Sequence, residues 1–559
     1  MNGPNSNLDV YSYYLQESRD SLSSRIPRLK PRVQTFKLSV RYYLYTAGGG
    51  DQLWFAYLSS TLSQTDESVA ISKMKYLGHI SAAVLLLVGI ILLALAIAAP
   101  PLVQKQIDEG LHQNLQLKKG SNTFDLWKNN AKNDSNPQYL NIRFLNITNP
   151  DEVLTGAKPK VVEVGPYVYR KNMIRFNEKL SADNNTVEFR TWTYYTFQEN
   201  QSSGDPTVDN ITTANLAYAG VQHQLGDDWY FNMVADILGS YQKNAPLITK
   251  TAQEHIWGYE SEMLKFVKTL KPEVEPFIQI QPNETSYEDN MRTRKTDIIN
   301  TGHDDINKVL QFVKFQNMTM TSFWNSEKAD TVRGTDGSQF HPNLDMNSIL
   351  EPWVDDAFRT LKLTARDHVT VQGVNLLRFR PDITNFDNST LFPSNAEYYQ
   401  NGPSGVGNLT SIFKAPVFFS NPHFFGAPHY AEAIEGLSPE SEKHETYLDI
   451  EPTTGLTMNV AKRSQISVRV TPTLLRYPLM RTTYIPVVWM ELRSQLTEKS
   501  ADQFQESNSL IVEARGISKA LKYIGWSMGA VCLTISLLLI AVISRRAIRQ
   551  RRGGYSAIK

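Results

Sequence analysis

Twenty consecutive uncharged residues, Ile80 to Ala99, close on Pro100-Pro101 and constrain everything around them. At 1.5 Å rise per residue such a helix spans the roughly 30 Å hydrocarbon core of a bilayer. Twelve of the twenty are Leu, Ile or Val, and at about −0.3 to −0.6 kcal/mol each they favour insertion by about −4 to −7 kcal/mol. A cleaved signal peptide is the competing reading, because Ala96-Ile97-Ala98 looks like a small-residue cleavage site. Signal peptides, however, occupy about the first 15–30 residues and carry a shorter apolar region. The sequence therefore predicts an uncleaved transmembrane helix over 77–99.

A second uncharged run, Tyr523 to Ser544, predicts another membrane helix over 523–544. Five arginines follow within eight residues (Arg545, Arg546, Arg549, Arg551, Arg552), and residues 1–76 carry nine basic against six acidic side chains. By the positive-inside rule both ends lie in the cytosol, so residues 100–522 form one domain on the far side. Residues 1–76 read as a largely disordered cytosolic tail with a short helix around 52–62, and 545–559 as a second, short tail. Gly525 and Gly529 are spaced to let the two helices approach closely.

The chain's net charge of +1 hides an asymmetry, since removing both basic tails leaves residues 77–544 at about −8. An acidic domain has no electrostatic footprint for nucleic acid. The sole cysteine, Cys532, lies in the second apolar run, so no disulfide forms within the soluble domain. Nine Asn-x-Ser/Thr sequons, at Asn133, Asn146, Asn184, Asn200, Asn210, Asn283, Asn317, Asn388 and Asn408, all fall inside that domain and predict a glycosylated lumenal face.

Within the domain, Val161–Arg170, Thr186–Phe197, His368–Phe379, Gln465–Val470 and Tyr484–Glu491 are rich in β-branched and aromatic residues with period-two stretches, which predicts a mainly antiparallel sheet or barrel. Residues 215–270 differ in kind. Trp229, Met233, Ile237 and Tyr241, then Ile256, Tyr259, Met263, Phe266 and Leu270, follow helical spacing and predict a helical bundle inserted into the β scaffold. The chain is thus read as an α+β membrane protein.

No catalytic residue is assigned. The chain has no His-Glu-x-x-His, no Gly-x-Ser-x-Gly, no Walker loop and no Gly-x-Gly-x-x-Gly. Gly334-Thr335-Asp336-Gly337 reads as a tight turn, and His423 and His429 lack the companions of a zinc site. No metal and no cofactor are expected, and the protein is read as a binding protein with no chemical step, a lumenal enzyme being the distant alternative.

Several stretches converge on one family. Val162-Glu163-Val164-Gly165-Pro166-Tyr167, His255-Ile256-Trp257-Gly258-Tyr259, Gly334-Thr335-Asp336-Gly337 with Phe340-His341-Pro342, Pro422-His423-Phe424, and His444 to Gly455 leading to Ala461-Lys462-Arg463-Ser464-Gln465 resemble, in order, the motifs of class B scavenger receptors and lysosomal integral membrane proteins. The resemblance implies an antiparallel β-barrel core, an apical helical bundle at about 215–270, and a hydrophobic tunnel running toward the bilayer. It also implies partners, namely lipids such as sterols, fatty acids or phospholipids, lipoprotein-like particles, or a protein cargo such as a lysosomal hydrolase, with a homo-oligomer an open alternative. Trp229, Tyr230, Phe231 and Lys243 are the apical ligand-binding candidates it points to. His223 and His255, which titrate near endosomal pH when unperturbed, are candidates for acid-triggered release.

Two departures stand out. Where the family carries cysteines flanking the Gly-Thr-Asp-Gly stretch, this chain has Ala329 and Phe358, and its N-terminal tail is longer than the family's. Finally, Gly554-Tyr555-Ser556-Ala557-Ile558 resembles the Gly-Tyr-x-x-apolar sorting signal that a clathrin adaptor reads as an extended peptide. Gly554, Tyr555 and Ile558 therefore predict a lysosomal or endosomal membrane location, possible cycling through the plasma membrane included; a plasma-membrane uptake or adhesion receptor is the alternative.

Overall fold

The computed structural model describes residues 64–130, 137–225, 233, 236–237, 246–282, 295–388, 390, 393–398, 404–473 and 475–555. These fall into two compact units, one of residues 111–505 and one of residues 64–110 with 506–555. Of the expected disordered tail at 1–76, residues 1–63, with the short helix expected around 52–62, lie outside the described residues, whereas 64–76 are helical.

The smaller unit is built from two helices, α1 (Gln64–Leu115) and α2 (Glu498–Tyr555), each long and apolar enough to cross a membrane. Neither stops where the apolar run stops. α1 is helical from Gln64, the first described residue, and continues through Pro100 and Pro101. Beyond the prolines, Gln104 donates to Asp108 at 2.8 Å and Lys105 pairs with Glu109 at 3.9 Å. These i,i+4 contacts support the helix on the far side of its weak point.

α1 and α2 touch through small residues, as the glycine spacing predicts. A Cβ added at Gly525 would lie 2.7 Å from the Ala96 Cβ, and one at Gly529 would lie 2.9 Å from Leu93 Cγ and 3.2 Å from the Gly89 carbonyl oxygen. The Ser536 hydroxyl donates to the Ala82 carbonyl oxygen at 2.8 Å across the same seam. Because lipid is as apolar as the helix surface, such backbone proximity and interhelical hydrogen bonding hold the pair. Gly529→Leu is expected to part the helices: in a Cys532→Ala background, disulfide crosslinking between cysteines placed at 82 and 536 should fall several-fold.

The larger unit is organised on an antiparallel sheet of thirteen strands among the described residues. Its main strands are β1 (Gln138–Ile147), β2 (Val161–Leu180), β3 (Thr186–Phe197), β4 (Asp297–Asn300), β5 (Phe312–Lys314), β6 (Ile349–Leu350), β7 (Leu363–Val371), β8 (Val374–Pro381), β9 (Val417–Ser420), β10 (Tyr447–Ile450), β11 (Thr457–Val470) and β12 (Thr483–Ser494). They pair in the order β6-β7-β8-β10-β11-β12-β1-β2-β3-β4-β5, with β9 added on β11.

The expected strand at His368–Phe379 is two strands. Gln372 and Gly373 both have positive φ (48° and 75°), which makes a tight β7–β8 hairpin turn inside what reads as one apolar run. The core lies where the inward residues of β1, β2, β11 and β12 meet: Ile142, Phe144, Tyr167, Val468, Ile485 and Val488 are each at most 1 % exposed.

The two ends of the strand order are joined by Gly334-Thr335. Phe312 N–H donates to the Gly334 carbonyl and Trp353 N–H to the Thr335 carbonyl, both at 2.8 Å. Thr335 bridges antiparallel to Gln311 beside β5 and parallel to Pro352 just after β6. The sheet is thereby closed on itself by a single residue. Asp336 next to it accepts from Arg175 of β2 at 3.2 Å, and the Gly337 carbonyl accepts from Thr457 of β11 at 2.7 Å, so the turn is held from both sides.

Residues 215–270 are not a purely helical bundle. Helices Leu216–Leu225, Ala252–Trp257 and Glu262–Leu270 are joined by a strand, Leu247–Thr251, that pairs antiparallel with Asn210–Ala214. The apparent helical spacing from Ile256 to Leu270 is broken at Gly258, whose φ of 113° ends one helix before Ser261 caps the next.

Candidate functional site

The four apical candidates, Trp229, Tyr230, Phe231 and Lys243, lie outside the described residues, as does Ile558 of the sorting sequence. Gly554 and Tyr555 form the end of α2, so their backbone is helical rather than extended. His223 is exposed in the last turn of Leu216–Leu225.

His255 does not fit a release switch. It is 5 % exposed, its Nε2 lies 3.2 Å from the Ile211 carbonyl oxygen, and its ring packs 5.6 Å from Phe144 and edge-on to Tyr259. Burial pushes its pKa down to about 4, below the endosomal range, so it stays neutral where the sequence reading expected it to charge.

Of the sequons, Asn184, Asn200, Asn210 and Asn317 are exposed, whereas Asn146, Asn388 and Asn408 are half-buried; Asn133 and Asn283 lie outside the described residues. The Asn146 side-chain oxygen accepts from Thr212 N–H at 2.8 Å, which turns that amide toward the protein.

At the two positions where the resemblance leads one to expect cysteines, Ala329 is 2 % exposed in a short helix capped by Ser326. Phe358 packs 5.3 Å from the Phe323 ring and 6.2 Å from Phe315, and its carbonyl accepts from Trp324 Nε1 at 2.9 Å. Aromatic packing occupies the neighbourhood, each such pair contributing about 0.5–1.5 kcal/mol beyond its buried area.

Three of the sequence motifs meet in one polar cluster that sequence spacing did not reveal. Pro422-His423-Phe424 is a 3-10 turn in which His423 takes a left-handed conformation, φ 54°, fixed by its N–H donating to the buried Gln465 at 2.8 Å. The His423 ring stacks on His444 at 4.3 Å between centroids, and its Nε2 lies 2.8 Å from Glu163 Oε2. Trp489 Nε1 donates to the same carboxylate at 2.9 Å, and the Arg143 guanidinium lies 4.4 Å over the Trp489 ring. Glu163, Arg143 and Trp489 come together because β2, β1 and β12 are neighbouring strands, with Arg143 directly opposite Trp489.

The tautomers follow from the donors. Ser438 N–H donates to His423 Nδ1 at 3.0 Å and Glu440 N–H to His444 Nδ1 at 2.9 Å. Each Nδ1 is therefore a bare acceptor, and the proton of His423 is on Nε2, donated to Glu163. A second proton on His444 must displace the Glu440 N–H. Burial, then the neighbouring His423, pushes the His444 pKa down to about 4. Glu163 is opposed by its own burial, yet hydrogen bonds from His423 and Trp489 hold its pKa below the usual range. The cluster locks a stacked histidine pair to a carboxylate, and its chemistry is structural: it ties strand ends to loops.

The remaining long motif serves the same end. Lys462 reaches Asp355 and Asp356 at 3.1 and 3.0 Å, and Arg463 pairs with Glu491 at 2.8 Å. The turn at Pro452–Gly455 docks on the segment after Gly337, with Phe340 N–H donating to the Gly455 carbonyl at 2.8 Å.

A CD36 family profile matches residues 80–540. The chain belongs to the CD36 family. Among its relatives, lysosome membrane protein 2 of Homo sapiens is 29% identical over 411 residues, covering 72% of this chain and 83% of the relative. The same protein of Rattus norvegicus is 30% identical over 420 residues, with 73% and 85% covered. Scavenger receptor class B member 1 of Sus scrofa is 29% identical over 396 residues, with 69% and 75% covered. In this CD36-family chain the match spans both apolar helices and the whole sheet domain, and it begins after the long N-terminal tail.

Proposed function

We propose that this chain is an endolysosomal scavenger-type membrane receptor that binds lipid, or lipid-bearing particles, on its lumenal domain and passes lipid through a tunnel to the membrane. The observation that carries the reading is the extent of the CD36-family match, residues 80–540, which takes in two membrane-compatible helices and the antiparallel domain between them. The lysosomal part is supported by the lysosome membrane protein 2 relatives and by Gly554-Tyr555-Ser556-Ala557-Ile558. The lipid-particle part is supported by the scavenger receptor relatives. Both termini then face the cytosol, where the basic run Arg545 to Arg552 meets anionic headgroups at about 1 kcal/mol per residue.

An adaptor that reads Tyr555 and Ile558 in extended form requires the end of α2 to unwind. Gly553-Gly554 makes this cheap, since each glycine disfavours helix by about 1 kcal/mol relative to alanine. Tyr555→Ala is expected to move the protein from endolysosomes to the cell surface, measured by imaging and surface biotinylation; an unchanged location contradicts the sorting role. The binding candidates remain Trp229, Tyr230, Phe231 and Lys243. A cargo-sorting role, with a soluble hydrolase released in acid, rests on the exposed His223 now that His255 is a core residue.

A further inference from the structure

The core face of the sheet does not stay apolar along its length. On that face Lys462 of β11, Leu492 of β12, Leu140 of β1 and Tyr169 of β2 stand directly opposite one another in a row across four strands. Leu140 and Tyr169 belong to the buried core. Residues two apart in a strand share a face, and β2 pairs without a break from Tyr169 to Phe176, so Lys171 and Arg175 lie on the core face as well. Aromatic rings adjoin them: Tyr195 is directly opposite Lys171, and Trp257 packs 5.1 Å from Tyr169 and 5.4 Å from Tyr195.

Arg175 is engaged, donating to the Trp127 carbonyl and to Asp336. Lys171 is half-buried, and among the described residues no hydrogen bond or ion pair reaches its ammonium, although Asp355, Lys462, Asp356 and Arg175 all act on its charge. Burial works against that charge, and Asp355 is the first group to favour it. The 3-10 turn Asp355–Ala357 offers two carboxylates to the single ammonium of Lys462, at 3.1 and 3.0 Å. That cluster carries one negative charge in excess, and Lys171 carries the matching positive one without touching it. Burial is the largest influence on Asp355 and Lys462 too, yet Asp355 and Asp356 keep 59 % and 39 % of their side-chain surface accessible. Charged groups that are ringed by protein and still accessible face an enclosed space that admits water.

We propose that this space receives the head of a zwitterionic phospholipid, its phosphate on the Lys171 ammonium and its choline or ethanolamine nitrogen beside Asp355 and Asp356, with the acyl chains along Leu140, Tyr169, Tyr195 and Trp257. The inference rests on the reading that lipid enters the sheet domain. A fatty-acid carboxylate gains Lys171 but meets the surplus carboxylate, and a sterol hydroxyl answers neither charge. The phospholipid head answers both.

Binding to the full-length protein in nonionic detergent tests this, with a phosphatidylcholine carrying a fluorescent acyl tail as the probe. Saturable binding is expected, with unlabelled phosphatidylcholine competing about tenfold more strongly than oleate or cholesterol. Lys171→Met keeps the apolar stem and every ion pair of the Lys462 cluster, and is expected to weaken phosphatidylcholine about tenfold relative to cholesterol. In the wild type, a diazirine on the choline head is expected to mark the peptides that contain Lys171 or Asp355 and Asp356. Saturable sterol or fatty-acid binding in the sheet domain, with phosphatidylcholine no better than oleate and indifferent to Lys171→Met, would overturn this inference and leave the lipid-entry reading standing. No saturable binding by any of the three lipids removes both. If Lys171→Met fails to fold, the wild-type competition and the head-group crosslinks decide it alone.

Discussion

Gly334→Ala is expected to destabilise the sheet domain by at least about 3 kcal/mol, and to leave the protein in the early secretory pathway. Gly334 has φ +94°, and a Cβ there would meet the Glu351 carbonyl oxygen at 2.0 Å and Trp353 N at 3.0 Å. Neither atom can yield, because both belong to the backbone on which Thr335 closes the sheet. Relaxing the contact means moving residues 351–353 away, which breaks the Trp353 N–H to Thr335 hydrogen bond and reopens the edge between β5 and β6. An open edge exposes unpaired N–H and C=O groups, a template for aggregation. Gly516→Ala is the control, since nothing lies within 4 Å of its added Cβ. A denaturation midpoint for Gly334→Ala close to that of Gly516→Ala would refute the role given to the turn.

The second large effect is a loss of stability on acidification. His255 and His444 are neutral in the folded state, with pKa values pushed down to about 4, while in an unfolded chain each titrates near 6.5. Between pH 6.5 and 4 the unfolded state therefore binds more protons, and stability falls as pH falls. From pH 7 to pH 5 the loss is roughly 2 kcal/mol for each histidine. Carboxylates whose pKa values are depressed, Glu163, Glu178 and Asp382 among them, lose their contribution only as pH falls further, through the carboxylate range, and leave this window to the histidines.

His444→Phe removes one of the two titrations. Denaturation at pH 7 and pH 5 should show about half the wild-type difference for this variant, together with a lower stability at pH 7, because Glu440 N–H loses its acceptor. A wild-type stability independent of pH over this range contradicts the assignment. For a protein proposed to work in an acidic lumen, this slope places the action of acid at His255 and at His444, where a second proton must displace the Glu440 N–H.

The membrane helices and most of the sheet were legible because their signals are local. Ile80 to Ala99 is an uninterrupted apolar run, and the alternation at Ile466, Val468 and Val470 marks β11 as a strand, although Gln465 and Ser467 on its other face are buried as well. The hairpin at Gln372-Gly373 was missed because a two-residue turn inside a β-rich run barely interrupts the pattern. Helix ends were missed for a related reason: α1 is carried past Pro101 by i,i+4 polar pairs that a hydropathy reading does not count.

The polar cluster was illegible on different grounds. Glu163, His423, His444 and Trp489 are spread over more than three hundred residues, and only the strand order places them within hydrogen-bond reach. Motif resemblance identified the stretches, but their chemistry looked like turns and caps until the pairing was known. For Gly334-Thr335-Asp336-Gly337 the turn reading was right and incomplete, as the turn is also the closure of the sheet. His255 shows the opposite failure. A histidine's type suggests a titrating group, whereas its burial against Phe144 and Ile211 decides that it does not charge.

The central claim is that lipid enters the domain between the two helices as well as surrounding the helices themselves. Photoreactive sterol and fatty-acid probes, added to the full-length protein in lipid nanodiscs and mapped by peptide mass spectrometry, separate these two populations. The account predicts saturable crosslinks on peptides from residues 137–505, displaced by the unlabelled lipid. Crosslinks confined to α1 and α2, with none in the sheet domain at any probe concentration, would contradict it.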